Sequence, residues 1–360
     1  MRNHVAATAL FCVFASQAYA AEAFTDAPKL LKQPDTWFMT EEGTKALANV
    51  VTWQNPDGGW YKHYDVMVPR PDPLPSGTDW FGGKGWEVSS TIDNAATYTE
   101  LMLLARGIRL ADKPEYHTAF DRGLDYLIAS QYPNGGIPQR FKLPKNYGRM
   151  ITFNDDAMTN VLKLFKDVVD GKGDFAFTTA EQKSKAKAAF EKGVDCVVKC
   201  QIVINGKPTV WCQQHDPQTL APTGARAFEL PSLASTESAT LVMLLMDIDS
   251  PTSAVKRSID SAVAWFEANK IPGKKWAFVD GPQYEGGRDR LLLDDPSAKG
   301  VWARFTDIDS GKPFFVARDG LKHWDVTAIS RERRVGYAWY SVSPQKVLDR
   351  FAKWKAKNES

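Results

Sequence analysis

Cysteine is scarce in this 360-residue chain, with four residues in all, and there are only five histidines. Cys12 falls in an N-terminal leader, which leaves Cys196, Cys200 and Cys212. Cys196 and Cys200 stand four apart on an expected helix, a spacing that shares one face but matches no zinc pattern. No activating base accompanies them, so thiol catalysis is set aside. An oxidising destination would permit one disulfide, Cys200 to Cys212. The formal net charge is only +2, which excludes the broad polybasic surface of a nucleic-acid partner. Beyond the leader no apolar run is long enough to cross a bilayer, so no membrane partner is expected. A monomer is the expected state.

The leader itself has Arg2 and His4, an apolar run from Val5 to Phe14, and "AYA" before "AEAF". That is the pattern of a secretory signal peptide over residues 1–20, cut after Ala20, and it implies export to the periplasm or medium. Residues 21–360 suffice for one large domain with a substantial core. Twelve Trp, 11 Tyr and 19 Phe fill much of that core and leave candidates for aromatic faces that stack on sugar rings.

Repetition organises the rest. "VVTWQNPDGGW" at 50–60 and "LIASQYPNGGI" at 127–137 match in register: an apolar helix end, a Gln, then a Pro-Asn/Asp-Gly-Gly turn. "VVKCQIVINGKPTVW" is a looser third copy and "WFEANKIPGKKWAF" a weaker fourth. Each copy ends a helix with one apolar face, as with Phe120, Leu124, Leu127 and Ile128. Thr178 and Glu181 suggest a capping box before the helix that reaches Gln201. A second set of helices opens with "TIDNAATYTELMLLA", "TFNDDAMTNVLKLF" and "STESATLVMLLM", apolar nearly all round after the first turn and therefore buried on both sides. The expected fold is mainly α, a partial α/α toroid of about three helix-pair repeats. A smaller strand-containing region is expected at about 273–340, and a long loop at 60–90 over one end.

The inner openings place Asp93, Asp155 and Glu237 at equivalent positions. Each alone reads as a helix cap. Three in register at one end of a toroid point to a shared site. "APTGARAFELPS" holds Arg226 in a loop just ahead of the third inner helix. In "VWARFTDIDSGKPFFVAR" a hairpin centred near Gly311 would set Arg304 opposite Arg318, a like-charged pair that requires an anion, either Asp307 or Asp319 or an acidic ligand. Acidic oxygens beside arginines suit a hard cation such as Ca²⁺ together with an anionic polymer.

"WQNPDGGWYK", "TIDNAAT", "YPNGGIPQR", "FNDDAM", "VWCQQHDPQTLAPTGARAFELPSLASTES" and "FTDIDSGKPFF" together resemble the motif set of pectate lyases of polysaccharide lyase family ten. The resemblance covers most of residues 30–345. It implies a single catalytic domain over 21–360 that cleaves α-1,4-linked polygalacturonate by β-elimination with Ca²⁺ as cofactor. Residue by residue, it implies that Arg226 is the base, that Asp93 and Asp155 are the essential aspartates and hold the metal, and that Arg304 and Arg318 bind substrate carboxylates. Asn94, Lys62 and Glu237 are weaker substrate-binding candidates for the same cleft, each read first as a plain cap or surface residue.

Arg226 is an awkward base, since guanidinium stays protonated in proteins. A nearby cation, neighbouring arginines and loss of water are expected to favour its neutral form. His215, close to Arg226 in sequence, is expected to pack rather than transfer protons. Two rival readings stand beside the lyase. An inverting glycoside hydrolase would use two carboxyl groups roughly 6.5 to 9.5 Å apart, and a noncatalytic pectin-binding module would rely on aromatic stacking.

Overall fold

The computed structural model describes residues 25–72, 89–141 and 146–358. The expected signal peptide and the 73–88 part of the expected long loop lie outside the described residues. Two short helices, α1 (Ala27–Leu30) and α2 (Asp35–Phe38), precede four long outer helices: α3 (Glu41–Thr52), α5 (Pro114–Ala129), α7 (Ala180–Cys200) and α9 (Ser253–Ala268). Between them run inner helices α4 (Tyr98–Ala111), α6 (Ala157–Asp170) and α8 (Ser235–Met246). A short α10 (Arg331–Gly336) precedes the C-terminal α11 (Ser343–Asn358), which packs against α8 and α9. Three outer–inner pairs make the partial α/α toroid that the repeats predicted.

The repeated glutamine explains how the pairs are joined. The Gln54 side-chain amide donates to the Gly58 carbonyl of its own turn and to Ala119 of the next outer helix, both at 2.8 Å. Gln131 does the same to Gly135 and Ala189, and Gln201 to Thr209 and Ser258. The first glycine of each Gly-Gly turn docks on that next helix with a positive φ. A Cβ at Gly58 would lie 2.3 Å from the Arg122 carbonyl oxygen, and one at Gly135 2.0 Å from that of Lys192. Only glycine allows both the left-handed backbone and this approach.

Buried tryptophans close the same units from inside. The Trp60 indole donates to Val50 in the last turn of α3, and Trp211 to Val197 in α7. For α9 the equivalent donor is Trp302, bonded to Phe266, and not Trp276 of the fourth motif. The antiparallel hairpin of Lys274–Asp280 with Arg288–Asp294 is thus inserted between α9 and its tryptophan. The other strands are two-residue pieces. Trp302–Ala303 pairs with Tyr340–Ser341, and Phe305–Thr306 with Leu233–Ala234 at the start of α8. Phe305, Phe314, Phe315 and Trp339 form a separate small core beside them.

Three local expectations are corrected. The capping box is formed by Thr179 and Gln182, because the Thr178 hydroxyl is buried and bonded to Val168 and Phe175 instead. All three cysteines are free, and no Cys200–Cys212 bond forms. Cys200 faces Cys196 at 3.9 Å, while Cys212 is turned toward Thr223 and Ser232. The Arg304–Arg318 register also differs. Thr306 bridges Pro313, and Phe315–Val316 leaves to pair with Lys322–His323, so the two arginines do not face each other.

One inner helix carries a buried acid. Burial pushes Glu100 on α4 up to about 7, opposed by backbone hydrogen bonds and by the Tyr64 hydroxyl at 2.9 Å. The folded chain therefore binds a proton more tightly than the unfolded chain, and stability is lost as pH rises from the unfolded value through about 7. The loss expected across that window is on the order of 3 kcal/mol. Glu100→Gln should flatten the dependence, as read from denaturant midpoints at pH 5 and pH 8. An equal fall in the variant would contradict this assignment.

Candidate active site

The inner helices begin with unusual backbone. Asp93–Ala95 and Asn154–Asp156 are single turns of 3₁₀ helix, and left-handed φ values occur at Asn94 (48°), Ala95 (69°), Thr97 (69°), Asp155 (52°) and Asp156 (58°). Each such non-glycine residue costs on the order of 1–3 kcal/mol. Thr97 is β-branched, and its strain is offset by a buried hydroxyl that donates to Thr91 at 2.8 Å and accepts from the Trp60 amide at 3.0 Å. The carboxylates do not serve as caps. Asp93 is paired with Lys62, Asp155 accepts from the Asn154 side chain at 2.8 Å, and Glu237 is bonded to Gln213 and Arg304.

Asp155 stands at the centre of this group. The residue itself keeps a solvent-exposed face; crowding by its surroundings raises its pKa first and the charge of Asp93 next, with Glu237 adding and Arg304 and Arg226 opposing. Five residues far apart in sequence thus share one field. Arg304 is buried and lies with its guanidinium 4.7 Å from the Tyr337 ring centroid. Burial alone would push its pKa down, and Glu237, Tyr337 and Asp155 together more than offset that. Glu237 is 2% exposed, so the reading of it as a cap or surface residue is wrong: it is the buried anion opposite Arg304. Neither Asp307 nor Asp319 plays that part, since they pair with Lys322 and His323.

Arg226 is half-exposed and clamped along one edge. Its Nε donates to Glu229 at 2.8 Å and its Nη2 to the other carboxylate oxygen, while its guanidinium lies 4.7 Å from the Phe228 ring centroid. Glu229 is buried and also receives the Tyr337 hydroxyl at 3.2 Å. Nη1 has no partner among the described residues and remains the free corner of the fork. Glu229 holds the guanidinium pKa above its ordinary range, against burial. This is opposite in direction to the neutral form expected from sequence, because that expectation counted arginines and missed the glutamate three residues on.

Asn94 is exposed, 3.1 Å from the His63 ring. Arg318 is exposed and ion-paired with Glu332 at 2.9 Å, yet its charge and that of Arg226 both act on the buried Arg333, whose guanidinium lies 4.0 Å from the Phe228 ring centroid. His215 is wholly buried, donates from Nδ1 to Leu220 and accepts from the Cys212 amide, and burial pushes it down to about 4. It is a neutral packing residue, as expected. Sequence reasoning missed Glu229, Gln213, Tyr337 and Arg333. Only Glu229 carried a signal, as an acid at i+3 from Arg226.

An α/α toroid with acidic inner-helix mouths and arginines across from them has the architecture of a carbohydrate-active enzyme. The comparisons make the class a polysaccharide lyase. The family model described as Pectic acid lyase matches residues 54–348, and the chain belongs to that family. A family 10 polysaccharide lyase from Cellvibrio cellulosa is similar in structure, with a TM-score of 0.75 and 30% identity over 88% of this chain and 94% of that one. An aspartate-to-alanine mutant of a family 10 polysaccharide lyase from the same organism, in complex with trigalacturonic acid, gives a TM-score of 0.74 and 28% identity over 92% of this chain and 98% of that one. Among curated proteins no relative matches. The chain is a pectate lyase, which sets aside the hydrolase and binding-module readings.

Proposed function

We propose that this enzyme is exported and cleaves α-1,4-linked polygalacturonate by Ca²⁺-assisted β-elimination, with Arg226 as the base. The observation that carries the reading is the meeting of segments distant in sequence: Lys62 pairs with Asp93, and Arg304, held by Glu237, donates to Asn154 beside Asp155 at 3.4 Å. A similar structure binds trigalacturonic acid, which supports the substrate class.

The donor set fits a hard cation. Asp93 and Asp155 offer carboxylate oxygens, their charges oppose each other, and the Lys62 ammonium already stands on Asp93 as a stand-in positive charge. Among the described residues no group of three His, Cys, Asp or Glu is preformed for a metal, so substrate carboxylate and water would complete the shell. Oxygen ligands in a loose geometry favour Ca²⁺. When bound, the ion supplies charge neutralisation for the uronate carboxylate as electron density builds on it.

The chain's own residues do the rest. Arg304, fixed by Glu237, and Arg318 on its exposed loop take substrate carboxylates as two-pronged donors, and Asn94 and Lys62 line the same entrance. Arg226 presents Nη1 to the C5 proton while Glu229 keeps the other edge in place. The C5–H electrons form the C4–C5 double bond, the C4–O4 bond breaks, and the departing O4 is protonated from water. Arg226 must shed a proton before it can accept one, and the neighbouring charge of Arg333 favours that loss once substrate excludes water.

Chelation tests the metal. With polygalacturonate, the ultraviolet-absorbing unsaturated product should fall to background in excess EDTA and return when Ca²⁺ is added back. Full activity after chelation would overturn the metal assignment, and new reducing ends without ultraviolet absorption would overturn elimination.

A further inference from the structure

Away from Asp155 and Arg226, the inserted hairpin and the first turn of α11 line an open cavity of about 480 Å³, a size that suits a small ligand. None of its lining residues belongs to the site described above. The walls are cationic, with Lys274, Lys275, Arg290, Lys299 and Lys346 against the single acid Asp349. Three of the lysines are neutralised where they stand: Lys274 by Asp294 at 2.7 Å, Lys275 by Asp295 at 3.1 Å and Lys299 by Asp349 at 3.2 Å. Arg290 and Lys346 have no carboxylate partner among the described residues.

Arg290 is the informative one. It is half-buried, with its guanidinium 5.4 Å from the Trp276 ring centroid and 4.9 Å from that of Phe278, and its Nε is buried without a hydrogen-bond partner. Burial pushes its pKa down, with no anion to offset it. Taking a cation partly out of water without a counter-charge is costly, and a carboxylate in the cavity would repay that cost. The Trp276 indole N–H is likewise buried and unpartnered, and the Tyr340 ring stands 5.2 Å away. The N-terminal turn of α11 adds the positive end of its dipole to the same wall.

We propose that this groove is a noncatalytic binding site for an acidic oligosaccharide, with Arg290 and Lys346 each taking a uronate carboxylate. Naming the ligand as galacturonan rests on the substrate reading above, whereas the groove itself calls only for a chain of spaced carboxylates. A second foothold on the polymer raises the effective concentration of the chain at the cleft without altering turnover of short substrates.

The test uses the full chain with Arg226→Ala to stop cleavage, run through gels containing sodium polygalacturonate. Adding R290Q and K346Q should weaken retardation by about tenfold or more, as loss of a second binding site would. Fully methyl-esterified galacturonan should retard neither form. In the otherwise native chain, R290Q with K346Q should leave turnover of trigalacturonate unchanged, which also shows that the variant folds. Equal retardation with and without the two substitutions overturns the site, as does equal retardation by the esterified polymer. The gel result is independent of the catalytic reading: if the native chain fails to cleave polygalacturonate, the mechanism falls while the retardation comparison still decides the groove.

Discussion

Arg226→Ala should lower turnover on polygalacturonate on the order of a thousandfold, within the range contributed by a positioned proton acceptor, while KM stays within a few fold. The split follows from the geometry. Nη1 is free on a half-exposed side chain, so under the proposed roles its loss removes an interaction at the reacting carbon, whereas Arg304 and Arg318, proposed to hold substrate carboxylates, remain. Arg226→Lys keeps a cation but loses the second edge that Glu229 grips, and should recover only a small part of the rate. The sharper readout is Glu229→Gln. Glu229 raises the pKa of Arg226, so removing its charge should shift the rising limb of the pH–rate profile to lower pH. If Arg226 acted only as a fixed cation, that limb would stay in place and only the rate would drop. An Arg226→Ala enzyme with normal turnover would end the assignment.

The sequence carried the repeat well because its markers are local. A Gln followed by a Gly-Gly turn reports a hydrogen bond to the next outer helix and a backbone contact that admits no Cβ, and both consequences are written within about ten residues. The inner-helix acids were legible for the same reason, by register. What sequence did not carry was pairing across distance. Arg304 and Arg318 looked opposed because a hairpin centred on Gly311 is the simplest local reading, yet Phe305–Thr306 pairs with Leu233–Ala234, more than sixty residues away. The same long-range pairing brings Arg304 to Glu237, an acid that by local rules looked like a cap. Likewise Trp276 sits where the fourth repeat places its tryptophan, but an inserted hairpin hands that role to Trp302.

The pairing of Glu237 with Arg304 gives the largest expected effect on stability. Both are buried, and Glu237 also receives the Gln213 amide at 2.9 Å, so the acid is built into a network that spans the start of α8 and the strand beside it. Glu237→Ala leaves a buried guanidinium without its anion and should cost about 3–5 kcal/mol in chemical denaturation. Replacing both, as E237L with R304M, removes the uncompensated charge and should recover most of that loss, since apolar pairs of similar volume often do as well as buried ions. Activity should separate the two roles. If Arg304 holds a substrate carboxylate, the double variant is stable and still inactive, with the defect appearing in KM as well as turnover. A stable and fully active double variant would show that Arg304 serves only the fold, and a Glu237→Ala chain as stable as the parent would show that the pair is not the buried anchor of this cleft.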